Sequence, residues 1–98
     1  MVIIAKTFVN VFVHKHPASK GALNSWYQIV KEADWGNFND VKNTFGNVDV
    51  VGNDRYVFNI KGNDYRLIAM IFFNKRTVYI RFIGTHAEYD NLKDCSRA

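Results

Sequence analysis

Between residues 55 and 84 apolar side chains recur at every second position. They run through Tyr56, Phe58 and Ile60, then Tyr65, Leu67, Ala69, Ile71 and Phe73, then Val78, Ile80 and Phe82. A period of two places one set of side chains on one face of a strand, so this stretch must fold as sheet with that face buried. Gly62-Asn63 interrupts the alternation as a two-residue hairpin turn, because glycine accepts the positive φ such a turn demands. Lys75-Arg76 interrupts it again, a poorer turn by propensity whose neighbours still alternate. Three strands are expected, over 55–61, 64–74 and 77–84. Lys61 then faces Asp64, Asn59 faces Arg66 and Phe58 faces Leu67. Across the second turn Phe72 faces Tyr79 and Met70 faces Arg81. The apolar set, Phe82 included, forms the core face. Asn59, Lys61, Arg66, Met70, Tyr79 and Arg81 share an open face. A slip of one residue would drive those charges inward, so the register is strongly specified.

The first half has a different period. Residues 1–5 read as a short apolar strand. Thr7 is the expected cap of a helix carrying Phe8, Val9, Phe12 and Val13 at helical spacing. Pro17 ends it and starts a second helix, where Leu23, Trp26, Tyr27 and Val30 recur at i, i+3, i+4 and i+7. Asn37 or Asn39 caps a third helix through Val41 and Phe45, with Gly46 as its stop. Thr85-His86-Ala87-Glu88 has the S/T-x-x-E form of a capping box and should open a short last helix. The helices cover the core face of the sheet.

At 98 residues the chain is one domain, 1–98, with no room for a dinucleotide fold. No run approaches the roughly 18 apolar residues that span a bilayer, no secretory signal is evident, and the single cysteine, Cys95, makes neither a disulfide framework nor a metal pair. A reduced, cytoplasmic protein with no membrane partner is expected. The net charge of +4 is unremarkable by itself, but its distribution is uneven. Residues 1–50 carry a net +1, whereas Arg55, Lys61, Arg66, Lys75, Arg76 and Arg81 against Asp64 alone give +5 over 55–81. Such a segment suits a polyanionic ligand.

Arginine grips phosphate oxygens through paired N–H donors, and lysine adds a point charge. Arg55, Lys61, Arg66 and Arg81 are therefore candidates for RNA phosphates, and Tyr79 or Phe72 for stacking an unpaired base. The alternative is a solvated basic face partly paired with Asp64 and Glu88. His86 and Tyr89, three apart in the last helix, reach the rim of that face. Histidine can exchange a proton near neutral pH and a phenol can donate to a phosphate; otherwise His86 is an idle helix-start residue and Tyr89 the edge of the core. His14 and His16 are spaced poorly for a metal pair, so neither metal nor cofactor is expected.

Three stretches, SWYQIVKEADWGNFNDVKNTF (25–45), VFNIKGNDYRL (57–67) and VYIRFIGTHAEYD (78–90), resemble the HigB family of bacterial toxins within the RelE-like superfamily. The resemblance implies an α+β, RelE-like fold with helices on one face of a twisted, mainly antiparallel sheet. It implies a ribosome-dependent endoribonuclease that cuts mRNA, neutralised by a HigA-type helix-turn-helix antitoxin. Arg66 in YRL matches the strand arginine that RelE-like toxins place on the scissile phosphate, and Tyr89 in HAEYD resembles the aromatic residue of their last helix. Lys61 corresponds only loosely to their basic residues, so His86 and Lys61 compete as general base. The chemistry that fits is metal-independent attack of the ribose 2′-OH on the adjacent phosphorus, with Arg66 and Arg81 stabilising the phosphoryl charge. The rival reading is a binding module that holds RNA or the ribosome without chemistry. The antitoxin is expected to cover the basic face with acidic side chains or a helix.

Overall fold

The computed structural model describes residues 1–62 and 64–98. In chain order these form β1 (Val2–Ile4), α1 (Thr7–Lys15), a 3-10 turn at Pro17–Ser19, α2 (Lys20–Glu32), α3 (Phe38–Phe45), β2 (Val48–Gly52), β3 (Arg55–Ile60), β4 (Tyr65–Phe72), β5 (Thr77–Thr85), α4 (His86–Asp90) and a 3-10 turn at Cys95–Arg97. The strands make one sheet in the order β1-β5-β4-β3-β2, with β1 parallel to β5 and all other pairs antiparallel. This is the expected α+β architecture. Strand β2 is an addition to the sequence reading. Its Val50 is 55% exposed, so the segment has no continuous apolar face to betray it, and only pairing with β3 makes it a strand.

The first hairpin has the expected register, Asn59 opposite Arg66 and Phe58 opposite Leu67. It differs at its tip. Strand β3 ends at Ile60, and Lys61 and Gly62 both take positive φ, 52° and 65°. Lys61 thus belongs to the turn and not to the open face of a strand, although its carbonyl still accepts from the Asp64 amide at 3.2 Å. Asn63, the other half of the expected turn, lies outside the described residues.

The second hairpin departs further. Phe73–Lys75 form a 3-10 turn and Arg76 closes it in the left-handed region at φ 49°. A two-residue turn needs positive φ where glycine or asparagine is favoured, and Lys75-Arg76 supplies neither, so a longer turn replaces it. Phe72 therefore faces Thr77, and Met70 faces Tyr79 instead of Arg81. This shift of two residues preserves the faces. A second shift does not: Ala69 faces Ile80 while Ile68 faces Phe82, leaving Arg81 as the extra residue of a bulge. Beyond it the alternation inverts. Ile83 packs against the core, and Phe82, opposite Ile68, turns to the other face. There its ring lies over Gly84, where a Cβ would run into it.

The core lies between the sheet and α1–α3. Val9, Phe12, Leu23, Trp26, Val30 and Val41 meet Phe58, Leu67, Ile71, Val78 and Ile80. Trp26 and Phe45 approach the Phe58 ring edge-on, at 5.4 and 5.2 Å between centroids. Phe8, by contrast, points outward and is 45% exposed. Thr7 is the first residue inside α1 and not its cap, a position held by Lys6 without a side-chain bond. Pro17 opens a 3-10 turn and not the second helix, which begins at Lys20; at α3 the Asn37 side chain accepts from the Asp40 amide, and Gly46 stops the helix at φ 74°. Phe58→Ala should cost about 3–5 kcal/mol, because the ring anchors two aromatic contacts and leaves a cavity. Urea denaturation measures this directly; a loss below 1 kcal/mol would mean that the two sheet faces are misassigned.

Candidate active site

The sheet face turned away from α1–α3 carries α4 and the C-terminal segment. Arg66 stands on β4 of this face, between Asn59 and Gly84. Its guanidinium lies over the Tyr89 ring, 5.8 Å from the centroid, and its Nη1 donates to the Tyr65 carbonyl at 3.4 Å. Tyr89 is placed by the capping box that starts α4. The Glu88 amide donates to Thr85 Oγ1 at 3.2 Å, and the Thr85 amide donates to Glu88 Oε1 at 2.9 Å. A hydrogen bond with the Cys95 side chain, burial, and the negative charges nearby, Asp49 among them, push the Tyr89 phenol up to about 12, with Arg66 pulling the other way. It therefore remains a proton donor at neutral pH.

The backbone bond from Thr85 chiefly, with smaller help from its hydroxyl and from His16 and Lys15, holds the Glu88 carboxyl below its ordinary value of 4.5. A carboxylate with a depressed folded pKa stabilises the fold above the unfolded value and loses that stabilisation as pH falls through the folded one. Helix α4 should accordingly be whole above pH 4.5 and fray below it. In an NMR titration the Thr85 amide should move with a midpoint under 4.5, and Thr85→Ala should cost α4 roughly 0.5–2 kcal/mol. A Thr85 amide with no acid transition would remove Glu88 from the cap.

His86 opens α4, its amide bonded to the Asp64 carbonyl at 3.2 Å, which ties the helix start to the chain two residues before Arg66. Its Nδ1 lies 2.9 Å from Asp90 Oδ2. With the Nδ1 proton directed at that carboxylate, the Nε2 lone pair is left to accept a proton. The sequence reading missed Asp90, although the i, i+4 spacing within HAEYD was there to signal the pair. It also missed Asp49 on β2, whose negative charge helps raise Tyr89.

The remaining candidates are distributed along the face. Arg55 on β3 and the bulge residue Arg81 on β5 both donate from Nε to the Ala98 main-chain oxygen, at 2.9 and 3.1 Å. Tyr79 lies opposite Met70 and beside Ile4, edge-on to Phe72 at 6.2 Å. Met70 is four residues along β4 from Arg66, which is about 13 Å at strand rise, so Tyr79 cannot stack on a base at the Arg66 phosphate and serves at most a neighbouring nucleotide. Lys61 sits at the hairpin tip. Arg76 pairs with Asp34 at 2.7 Å and Lys75 occupies the opposite turn, so neither joins this face. Only three of the six cations in 55–81 therefore do so. A separate apolar groove of 310 Å³ runs between α1 and α4, with Phe8, Val11, Phe12 and Ile83 among its walls. Among the described residues no group of three His, Cys, Asp or Glu side chains could hold a metal ion, and no helix is long and apolar enough to cross a membrane.

A mixed sheet backed by three helices, with an arginine, a phenol and a histidine–aspartate pair at one end of its other face, defines a small α+β protein suited to acting on a phosphodiester. The chain belongs to the HigB toxin family: residues 19–92 match the family described as the RelE-like toxic component of a toxin–antitoxin system. It is 35% identical over 94 residues to the mRNA interferase HigB of Escherichia coli O6:H1, an alignment that covers 94% of this chain and 91% of that one. Over 35 residues it is 54% identical to the mRNA interferases HigB of Escherichia coli O157:H7 and Shigella flexneri, covering 36% of this chain and 34% of each. As the toxic component of such a system, it has an antitoxin for a partner.

Proposed function

We propose that this toxin, an mRNA interferase by family, cuts mRNA on the ribosome by metal-independent transesterification at Arg66, Tyr89 and His86. The observation that carries the reading is the Arg66 guanidinium seated over Tyr89, on the same short helix as the His86–Asp90 pair. In the reaction the ribose 2′-oxygen bonds to the adjacent phosphorus and the bond to the 5′-oxygen breaks. His86 Nε2 takes the 2′-OH proton, with Lys61 at the hairpin tip as its competitor. Arg66 neutralises the charge that grows on the phosphoryl oxygens, and Tyr89, still a phenol, donates to those oxygens or to the leaving 5′-oxygen. The products are a 2′,3′-cyclic phosphate and a 5′-OH end. DNA, which lacks the 2′-OH, is not cut. Arg55, Arg81 and Tyr79 hold flanking nucleotides. The antitoxin is a HigA-type helix-turn-helix protein, and the site of action is the cytoplasm.

The test is a translation extract programmed with a defined mRNA. Fragments ending in a 2′,3′-cyclic phosphate, paired with fragments that start with a 5′-OH, are expected. Translation arrest with intact mRNA would instead identify a binding module without chemistry.

A further inference from the structure

The C-terminal segment occupies part of the face assigned to RNA. From Tyr89 the chain crosses toward β2, where Asn53 Nδ2 donates to the Ser96 carbonyl at 3.1 Å. The Ser96 Cβ comes to 3.8 Å from where a Cβ on Gly52 would stand. Asp94 shapes the last turn by accepting from the Ser96 amide at 3.0 Å and the Ser96 hydroxyl at 2.6 Å. The segment ends with one oxygen, that of Ala98, receiving Nε–H bonds from both Arg55 and Arg81. Val57 and Ile68 project from this same face, between the Arg66 and Arg55 positions, and are 2% and 0% exposed, as residues beneath a covering strap would be.

Two guanidinium groups from β3 and β5, on either side of β4, converging on a single oxygen make an oxyanion site. Arg81 is the extra residue of the bulge on β5, two residues beyond Tyr79 on the same face. A phosphate oxygen in the same place would accept charge-assisted bonds from both guanidinium groups. We propose that Arg55 and Arg81 form a second phosphate subsite for the RNA backbone, and that residues 96–98 occupy it in the free toxin and are displaced by RNA. This rests on the reading of the Arg66 face as the RNA site. The strap thereby lowers the affinity of the free toxin for loose RNA, while an RNA held in place by other contacts displaces it.

Deletion of residues 96–98 opens the subsite and keeps Cys95, so Tyr89 retains its partner. Asn53→Ala removes the side-chain donor to Ser96 and keeps the backbone carbonyl to which Arg55 Nη1 donates at 3.0 Å. A 2′-O-methyl RNA oligonucleotide, which binds without being cut, is the probe, read by fluorescence anisotropy. For a strap seated about 90% of the time, opening it should tighten binding about tenfold, because the apparent affinity scales with the fraction of competent molecules. Asn53→Ala should move it in the same direction. Adding Arg55→Ala to the deletion should then weaken binding and flatten its salt dependence by about 0.7 in the log–log slope, the share of one phosphate contact on a single strand. In the full-length chain, NMR signals of residues 96–98 should shift as the oligonucleotide binds. Equal or weaker binding in both the deletion and Asn53→Ala, including no binding by any form, overturns the proposal, as does a strap whose signals stay put when RNA binds. If mRNA is cut in the extract and the strap variants bind like the parent, only the strap fails. If the strap variants bind tenfold tighter and no mRNA is cut, the enzymatic reading fails and the subsite stands.

Discussion

Arg66→Ala is expected to lower single-turnover cleavage of ribosome-bound mRNA by roughly 10²–10³-fold, the usual loss when one preorganised donor to a developing oxyanion is removed. Growth arrest on induction should vanish with it. The fold should survive, because Arg66 belongs to the face outside the core and the contact it makes with the Tyr89 ring is worth only about 0.5–1 kcal/mol at a partly exposed site. Circular dichroism and thermal melting supply that control. Arg66→Lys should recover part of the binding and little of the rate, since a lysine keeps the charge and loses the planar fork that matches two phosphoryl oxygens. A toxic, well-folded Arg66→Ala protein would remove the centre of the mechanism.

His86→Gln tests the proton transfer. Glutamine preserves hydrogen bonding toward Asp90 and cannot titrate, so the cleavage rate should fall by about 10²–10⁴-fold while ribosome binding persists. Helix α4 itself should hold, because Thr85 and Glu88 carry the cap without His86. Asp90→Asn should have a smaller effect of the same kind, as it stops fixing the Nδ1 proton and leaves a mixture of tautomers. Tyr89→Phe separates the hydroxyl from the ring: loss of activity assigns the phenol a role as donor, whereas full activity beside an inactive Tyr89→Ala assigns stacking. Undiminished single-turnover cleavage by His86→Gln would transfer the base to Lys61, which the turn at the hairpin tip places at the same end of the sheet.

The placement of Arg66 was legible because it depends on local facts. Period-two alternation puts it opposite Phe58 and Leu67 in sense, and Gly62 pins the hairpin register that sets it against Asn59. The start of α4 was equally legible, since a capping box is completed within four residues. Arg81 was assigned to the same face for an insufficient reason. Alternation predicts a regular position there, and a bulge depends on how β5 accommodates its pairing with β4, which no single strand reveals. The turn at Phe73–Lys75 was misread because propensity at Lys75 and Arg76 says that a short turn is poor without saying what replaces it.

The two faces of the sheet as far as the Arg81 bulge, the start of α4 and the chemical types available on the exposed face follow from spacings of a few residues. Which of those groups meet depends on packing between segments far apart in the chain. The strap is the clearest case: its bonds join residues 43 apart, from Asn53 and Arg55 to Ser96 and Ala98, through a segment with no apolar period and no turn signal strong enough to aim it. Contacts of that separation are selected by the shape and charge of the assembled sheet, and two arginines from β3 and β5 meet one oxygen only once β3, β4 and β5 have paired.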